Sequence, residues 1–397
     1  MAEQRFEQNQ FFLMNKDIPI LKFISEKDAL GDFEFDIIES YSDVLPIGFT
    51  DIGTWLQNRQ APKHREHIAA LLKSCGCDDL DGYIRFTYAL TLNDSFWIRP
   101  ANKPLKWADV SLFCNEFDET IARIAFEGGL YGEQFSTTSP EFGTDGTFAK
   151  CWIREDDKIY LIKQGSSGAR NAGLEPYSEM YTSQLALHIC TDAIPYEVVR
   201  YRGKVASKCL LFTNEQEGFA PISRVLPGRP TAGKLLEYFS GIGSDDAFRR
   251  MLVLDALVLN TDRHMGNFGI LFDTDTMVPI RMAPVFDNNQ ALLPYAENEN
   301  FMDLQRYLAS RPTRIGNDFN EIAHALLTPA IRADLRNLSD FKFDRSTRYS
   351  LPEERLKVLE KVVNMQIDNV LKDVRLYVTE DAKQAINNKN VNRKQRL

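Results

Sequence analysis

From Met251 to Leu259 the chain is almost entirely apolar, from Asn260 to Asn267 mostly polar, and from Phe268 to Phe272 apolar again. That order predicts a buried helix, a polar loop and a buried strand, with the loop anchored at both ends. A short polar turn follows, and then a second apolar stretch, Ala283-Pro-Val-Phe-Asp-Asn288, in which Asp287 lies near the end.

Upstream, Phe11 to Phe35 alternates apolar and polar residues in short pieces divided by Asp17, Asp28 and Gly31, which predicts a small meander of strands. Helices are expected from Pro62 to Ser74 and from Asp79 to about Leu90, the first opened by a proline suited to an initial helical turn. Tyr83, Phe86, Trp97, Trp107, Phe113 and Phe117 make this region aromatic, and a packed core accounts for them more simply than a stacking surface. Residues 1–127 thus form one α+β unit whose binding role the sequence leaves open. At Gly128-Gly129 the composition turns to Gly, Ser and Thr as far as Thr147. Strands are expected over Phe148–Ile153 and Ile159–Lys163, a helix over Glu175–Cys190, and strands over Val198–Arg202 and Lys208–Thr213. A Pro- and Gly-rich connection, Pro221 to Gly233, leads to helices from Lys234 and Asp245. Four more helices are expected over Phe301–Ser310, Asp318–Leu327, Thr328–Leu338 and Glu353–Tyr377, the last amphipathic along its length. The order is a β-rich lobe over 128–215, a helical lobe over 216–380, and a basic tail, 381–397, expected to be disordered.

Composition narrows the class of protein. A chain of 397 residues exceeds one hydrophobic core. With 47 basic and 56 acidic residues the net charge is -9, which disfavours broad contact with nucleic acid or anionic lipid. No apolar run reaches a membrane span and the N-terminus lacks the order of a signal peptide, so a cytoplasmic protein is expected. Six scattered cysteines do not form a disulfide framework. Cys75-Gly-Cys77 with His64 and His67 lacks the usual spacing and second pair of a zinc site.

The polar loop carries the candidate chemistry. Asp262 and Asn267 stand five apart, the spacing of a protein-kinase catalytic loop, where an Asp orients the acceptor hydroxyl and an Asn binds magnesium. Asp287, twenty residues on, is placed to supply the metal carboxylate. Magnesium takes hard oxygen ligands and leans on the phosphates of its nucleotide, so one carboxylate and one amide suffice. The same residues could simply cap a helix and bond local backbone. Upstream, Lys163 ends a strand in the place of a phosphate-contacting lysine, with Glu179 as its partner on the next helix and Glu175 as the competitor. Lys150 is a second phosphate candidate. Gly146 and Thr147 belong to a Gly- and hydroxyl-rich loop able to offer backbone N–H groups to phosphates. Leu211, Phe212 and Thr213 fall at the expected hinge, whose backbone would meet adenine. Asp255, on the apolar helix, is expected to bond the catalytic loop. His264 is expected to pack and brace that loop, with a role as general base the alternative.

The text Leu-Asn-Thr-Asp-Arg-His-Met-Gly-Asn-Phe-Gly from Leu259, followed by Ala-Pro-Val-Phe-Asp-Asn from Ala283, resembles the signature of HipA-like kinases, a bacterial branch of the protein-kinase-like fold. The resemblance covers about 130–330. It implies a two-lobed α+β kinase-like fold, ATP and Mg2+ as cofactors, Asp262 as catalytic base, Asn267 and Asp287 as magnesium ligands, and Lys163 as the ATP lysine. The implied activity is phosphorylation of Ser or Thr on a protein substrate, with a helix-turn-helix or antitoxin-like protein as the implied partner. A small-molecule or lipid-headgroup kinase and a non-catalytic nucleotide-binding regulator are the alternatives. Asp287 is followed by Asn288-Asn289, not Phe-Gly, and no Ala-Pro-Glu segment follows, so loop-phosphorylation control of the ordinary kind is not expected. Autophosphorylation of the phosphate loop is implied instead, at Ser136, Thr137, Thr138, Ser139, Thr144 or Thr147.

Overall fold

The computed structural model describes residues 9–372 apart from 31, 63, 66, 76, 78, 129–138 and 169–171. Ser136, Thr137, Thr138, Gly129, the basic tail and the end of the helix expected to reach Tyr377 lie outside the described residues.

The N-terminal unit is an antiparallel sheet of β1 (Gln10–Asn15), β2 (Ile18–Lys27), β3 (Phe33–Ser40) and β4 (Phe96–Pro100), in the order β3-β2-β1-β4. Five helices belong to it: α1 (Ile52–Gln57), α2 (Ile68–Ser74), α3 (Leu80–Thr87), α4 (Trp107–Val110) and α5 (Glu119–Glu127). The alternation along β1 and β2 turns Phe11, Leu13, Leu21 and Phe23 inward to meet Ile52, Leu71 and Tyr83, which makes one core. α2 starts at Ile68, six residues after the proline expected to open it. The aromatics are core, with Tyr83 and Trp97 wholly buried. Arg59 is buried there too, on Asp94 at 2.8 Å and on the carbonyls of Ala89 and Phe96, so its charge and donors are satisfied.

The second sheet, in the order β5-β6-β8-β7, contains β5 (Lys150–Glu155), β6 (Lys158–Gln164), β7 (Tyr196–Tyr201) and β8 (Lys204–Leu210). Between β6 and β7 lies α6 (Glu175–Ile189), whose buried positions face both lobes. β9 (Glu217–Pro221) then begins the helical lobe. No element is expected there from the sequence, where it runs into the Pro- and Gly-rich connection at Pro221, yet it pairs with β10 (Gly269–Asp273), beside β11 (Pro279–Met282), because Gly218 lets Phe272 pack directly on the backbone. A Cβ on Gly218 would lie 2.5 Å from the Phe272 ring.

Helices α7 (Ile222–Val225), α8 (Ala232–Gly241), α9 (Asp245–Val258), α10 (Asn298–Met302), α11 (Leu304–Ala309), α12 (Phe319–Leu326), α13 (Pro329–Asn337) and α14 (Glu353–Leu371) complete the lobe. α9 is its axis: every residue from Met251 to Val258 is buried, against α8, α12 and α14. It stops where Leu259 turns left-handed (φ 53°), which delivers Asn260 to Asn267 as a loop. This is a mixed α+β, two-lobed architecture with an added N-terminal unit.

That unit is fastened to the connection between the lobes. The Thr213 hydroxyl donates to the Leu92 carbonyl at 2.5 Å, and Phe219 N–H to the Asn93 carbonyl at 2.7 Å. Trp107 Nε1 and the Ser111 hydroxyl donate to Glu215 Oε1 at 2.6 and 3.1 Å, and Asn15 Nδ2 to the Thr274 carbonyl at 2.7 Å. It also grips the loop before β5, where the Arg65 guanidinium donates to the carbonyls of Glu141 and Thr144 and Phe142 fills its core.

Candidate active site

Register brings the two lysines together. On the antiparallel pair β5–β6, Lys150 lies directly opposite Lys163, so both ammonium groups leave the same face at the same end of the sheet. Both side chains are buried, and they meet different partners. Lys163 Nζ stands 2.5 Å from Glu179 Oε1 on α6 and 2.6 Å from Asp287 Oδ1. Lys150 Nζ donates to the Asp145 carbonyl at 2.5 Å. Glu175 is not the partner of Lys163; it accepts from the Tyr295 hydroxyl at 2.6 Å. Glu179 Oε2 accepts the Asn288 N–H at 2.7 Å, so α6 and the Asp287 segment are joined twice.

Electrostatics separates the two lysines. Burial opposes charge on Lys163, but the carboxylates of Asp287 and Glu179 outweigh it and hold the ammonium firmly protonated. Lys150 is buried beside the Lys163 and Arg65 charges, and its pKa falls to about 7, with burial the largest cause. Asp287 is only partly buried, its side chain 25% exposed, and Lys163, Lys150 and Arg263 hold its carboxyl down at about 2. It is therefore ionised at every physiological pH. Its backbone is left-handed (φ 53°), a conformation that Asp tolerates better than most residues, and its N–H donates to the Tyr196 hydroxyl at 3.3 Å.

Arg263 is the hub that the sequence leaves unassigned. Its buried guanidinium donates to Asp255 from Nε and Nη2 at 3.0 Å, to Asn288 Oδ1 at 2.6 Å, and from Nη1 to the carbonyls of Asn267 and Phe286 at 3.0 and 2.7 Å. One side chain thus fixes α9, the Asn260–Asn267 loop and the Asp287 segment. Asp255 bonds the loop through Arg263 and through Asn260. The position of Arg263, directly after Asp262 in a polar loop held between two apolar segments, is its only signal in the sequence. His264 departs from the expected packing: it is exposed, and its Nδ1 merely accepts the Gly266 N–H at 3.0 Å. Its neighbours Arg263 and Met265 take the inward positions, which leaves the His264 side chain outside.

Asp262 is one-third exposed, and its Oδ1 meets Arg314 at 3.0 Å. The Asn267 side-chain N–H donates to the Asp262 carbonyl at 3.1 Å, leaving its amide oxygen for another partner. Of the other candidates, Gly146 is left-handed in φ (93°) and lies against Lys150, where a Cβ would come within 2.3 Å of Nζ. Thr147 is exposed. Leu211 N–H is taken by the Ile159 carbonyl at 2.9 Å, and the Thr213 hydroxyl turns to the N-terminal unit, so neither of these two groups faces the cleft. Phe212 packs edge-on against Phe219 and at a tilt against Phe286, which places three aromatic rings next to Asp287 in the chain.

For magnesium the donor set fits: Asp287 offers Oδ2 beyond its bond to Lys163, Asn267 offers an amide oxygen, and Arg263 ties both segments by their backbones. Among the described residues no three His, Cys, Asp or Glu converge on a point, so an ion here would complete its shell with nucleotide oxygens and water. Among the described residues, no helix is long and apolar enough to cross a membrane.

No family model matches the chain, and no curated protein does. Among the solved structures that overlap it are two with a TM-score of 0.44 each. The kinase CtkA of Helicobacter pylori, described as proinflammatory, is 15% identical over 59% of this chain and 95% of its own. HipA of a Shewanella oneidensis MR-1 toxin–antitoxin system, in complex with HipB and operator DNA, is 12% identical over 91% of this chain and 99% of its own. The structural neighbours of this chain thus include a HipA and a kinase.

Proposed function

We propose that this protein is an ATP- and Mg2+-dependent phosphotransferase that passes the γ-phosphoryl group to a Ser or Thr hydroxyl of a protein. One observation carries the reading. Lys163, Glu179 and Asp287, from a strand, a helix and a loop far apart in sequence, converge in a buried charge cluster, and Arg263 ties that cluster to the loop bearing Asp262 and Asn267. A buried lysine bridging two carboxylates is costly to assemble for stability alone. Phosphoryl transfer is a use for it, because that chemistry works chiefly by positioning and charge.

Each residue has a task. Asp262 accepts the proton of the acceptor hydroxyl and aims its oxygen at the γ-phosphorus. Lys163, fixed by Glu179, contacts the phosphates, and Lys150 with the Gly146 turn supports them from the neighbouring strand. Asn267 and Asp287 would hold magnesium, which when bound offsets phosphate charge. The rings of Phe212, Phe219 and Phe286 offer an apolar seat for the base.

The test is incubation of the full chain and of Asp262→Ala with labelled ATP, magnesium and a cell lysate. Asp262-dependent label on protein is expected. Label confined to small molecules or lipids would move the reading to a metabolite or headgroup kinase. ATP binding with no Asp262-dependent transfer would favour the non-catalytic regulator, for which copurification of a helix-turn-helix protein is the direct observation.

A further inference from the structure

The catalytic loop lacks a free cation of its own. Between Asp262 and Asn267 the only strong base is Arg263, and its guanidinium is buried on Asp255, Asn288 and two carbonyls, away from any substrate. Lys163 is likewise bound between two carboxylates. Yet a phosphoryl group moving toward the Asp262 side carries charge on its three equatorial oxygens.

Arg314 reaches Asp262 from outside the loop. Its Nη2 lies 3.0 Å from Asp262 Oδ1, a contact across 52 positions of sequence. The loop that presents it is pinned on either side: the Thr313 hydroxyl and the Ile315 backbone bond each other at 2.9 and 3.2 Å, and Ile315 is buried in the core of the helical lobe. The side chain itself is 59% exposed. An ion pair this open contributes at most about 1 kcal/mol, so holding the loop is the work of Ile315 and not of the pair. The contact also uses one of five guanidinium donors and one of two carboxylate oxygens. Oδ2 remains for the acceptor hydroxyl, and the other donors remain for an anion.

We propose that Arg314 is a phosphoryl contact supplied within the chain, bonding the equatorial oxygens of the γ-phosphoryl group as it passes to the acceptor. This rests on the phosphotransferase reading above. In the step, the acceptor oxygen forms a bond to the γ-phosphorus while the bond to the β,γ-bridging oxygen breaks. The electron pair of that bond leaves on ADP, and the hydroxyl proton goes to Asp262. An acceptor oxygen within roughly 2.6–3.2 Å of Asp262 places the phosphoryl group next to a guanidinium that already touches the same carboxylate. Arginine suits the place because its planar fork matches phosphoryl oxygens and keeps its charge at any working pH.

The experiment compares full-length wild type, Arg314→Ala and Arg314→Lys in two assays. The first is affinity for ADP and magnesium with and without aluminium fluoride, a mimic of the group in flight. We expect Arg314→Ala to bind ADP within about twofold of wild type but the fluoride complex roughly 100-fold more weakly, in the range seen when one transition-state donor is removed. The second is Asp262-dependent transfer. We expect kcat to fall by about 100-fold or more with KM for ATP nearly unchanged, Lys to restore part of it, and added guanidinium to revive Arg314→Ala. Faster transfer in Arg314→Ala would overturn the proposal and make Arg314 a cover on the base. Equal affinity of both proteins for the fluoride complex would overturn it as well, leaving the phosphotransferase reading intact. A wild type that binds no nucleotide would defeat both.

Discussion

Replacing Arg263 by Ala offers the sharpest energetic test of how the site is assembled. The side chain is 2% exposed and bonds Asp255, Asn288 and the carbonyls of Asn267 and Phe286. Asp255 is itself buried, and burial pushes its carboxyl up against the opposing pull of Arg263, so the carboxylate depends on that guanidinium. Removing one partner of a buried pair costs about 3–5 kcal/mol, and two carbonyls deprived of donors add on the order of 1 kcal/mol each. Arg263→Ala should therefore lose at least about 4 kcal/mol, a large part of the roughly 5–15 kcal/mol by which domains are stable. Urea unfolding at low temperature measures the loss. Asp255→Asn should cost less, because an amide can be buried neutral, and the double variant should be milder than the sum of the two by about 1–3 kcal/mol. Magnesium-dependent ATP binding should fall in Arg263→Ala even where the variant is folded, since the Asn267 and Asp287 segments lose their common tie. A cost below about 1 kcal/mol, or strict additivity with Asp255→Asn, would refute the hub.

Four further outcomes follow from the same geometry. Lys150, with its pKa near 7 in the folded protein and 10.5 unfolded, is buried at a penalty that is greatest below pH 7 and is relieved as pH rises from 7 toward 10.5; the melting temperature of wild type relative to Lys150→Met should climb over that window. Phosphates favour the charged ammonium, so ATP binding near pH 8 should take up a proton, measurable by calorimetry in buffers of different ionisation enthalpy and absent from Lys150→Met. Gly146→Ala places an L residue at φ 93° with its Cβ against Lys150 Nζ; it should lose about 1–2 kcal/mol of stability and bind ATP more weakly, and an unchanged protein would show that the turn is not tight. Glu215→Ala strips the acceptor from Trp107 and Ser111 and should cost about 1–3 kcal/mol, with faster hydrogen exchange at Asn93 and Phe219 where the N-terminal unit grips the hinge.

Local pattern made much of this fold legible. The apolar run Met251 to Leu259 and the period-2 strands around Lys150 and Lys163 dictate their own conformations, and the α+β two-lobed order followed from them. The Lys163–Glu179 pairing could be anticipated because both residues sit at element ends on consecutive elements. Residues whose role depends on distant partners left no such trace. β9 is too short and carries too little alternation to show in the sequence, because its strand character comes from pairing with β10, some fifty residues on. Arg263 and Arg314 carry ordinary surface-type side chains, and only tertiary placement buries the first and aims the second at Asp262. Thr213 was placed at the hinge by position, but its hydroxyl is claimed by the N-terminal unit, whose docking the sequence does not encode locally.

On the proposed function, Asp262 and the Lys163 cluster together move the γ-phosphoryl group of ATP. The most direct measurement follows label from ATP carrying 32P at the γ or the α position, using wild type, Asp262→Asn and Lys163→Met with magnesium. Asp262→Asn keeps the size and much of the polarity of the side chain but cannot accept the hydroxyl proton. Transfer from γ-labelled ATP alone, lost in both variants while Asp262→Asn still binds ATP, is the predicted result. Transfer of the α label, or undiminished γ transfer by Asp262→Asn, would contradict the account.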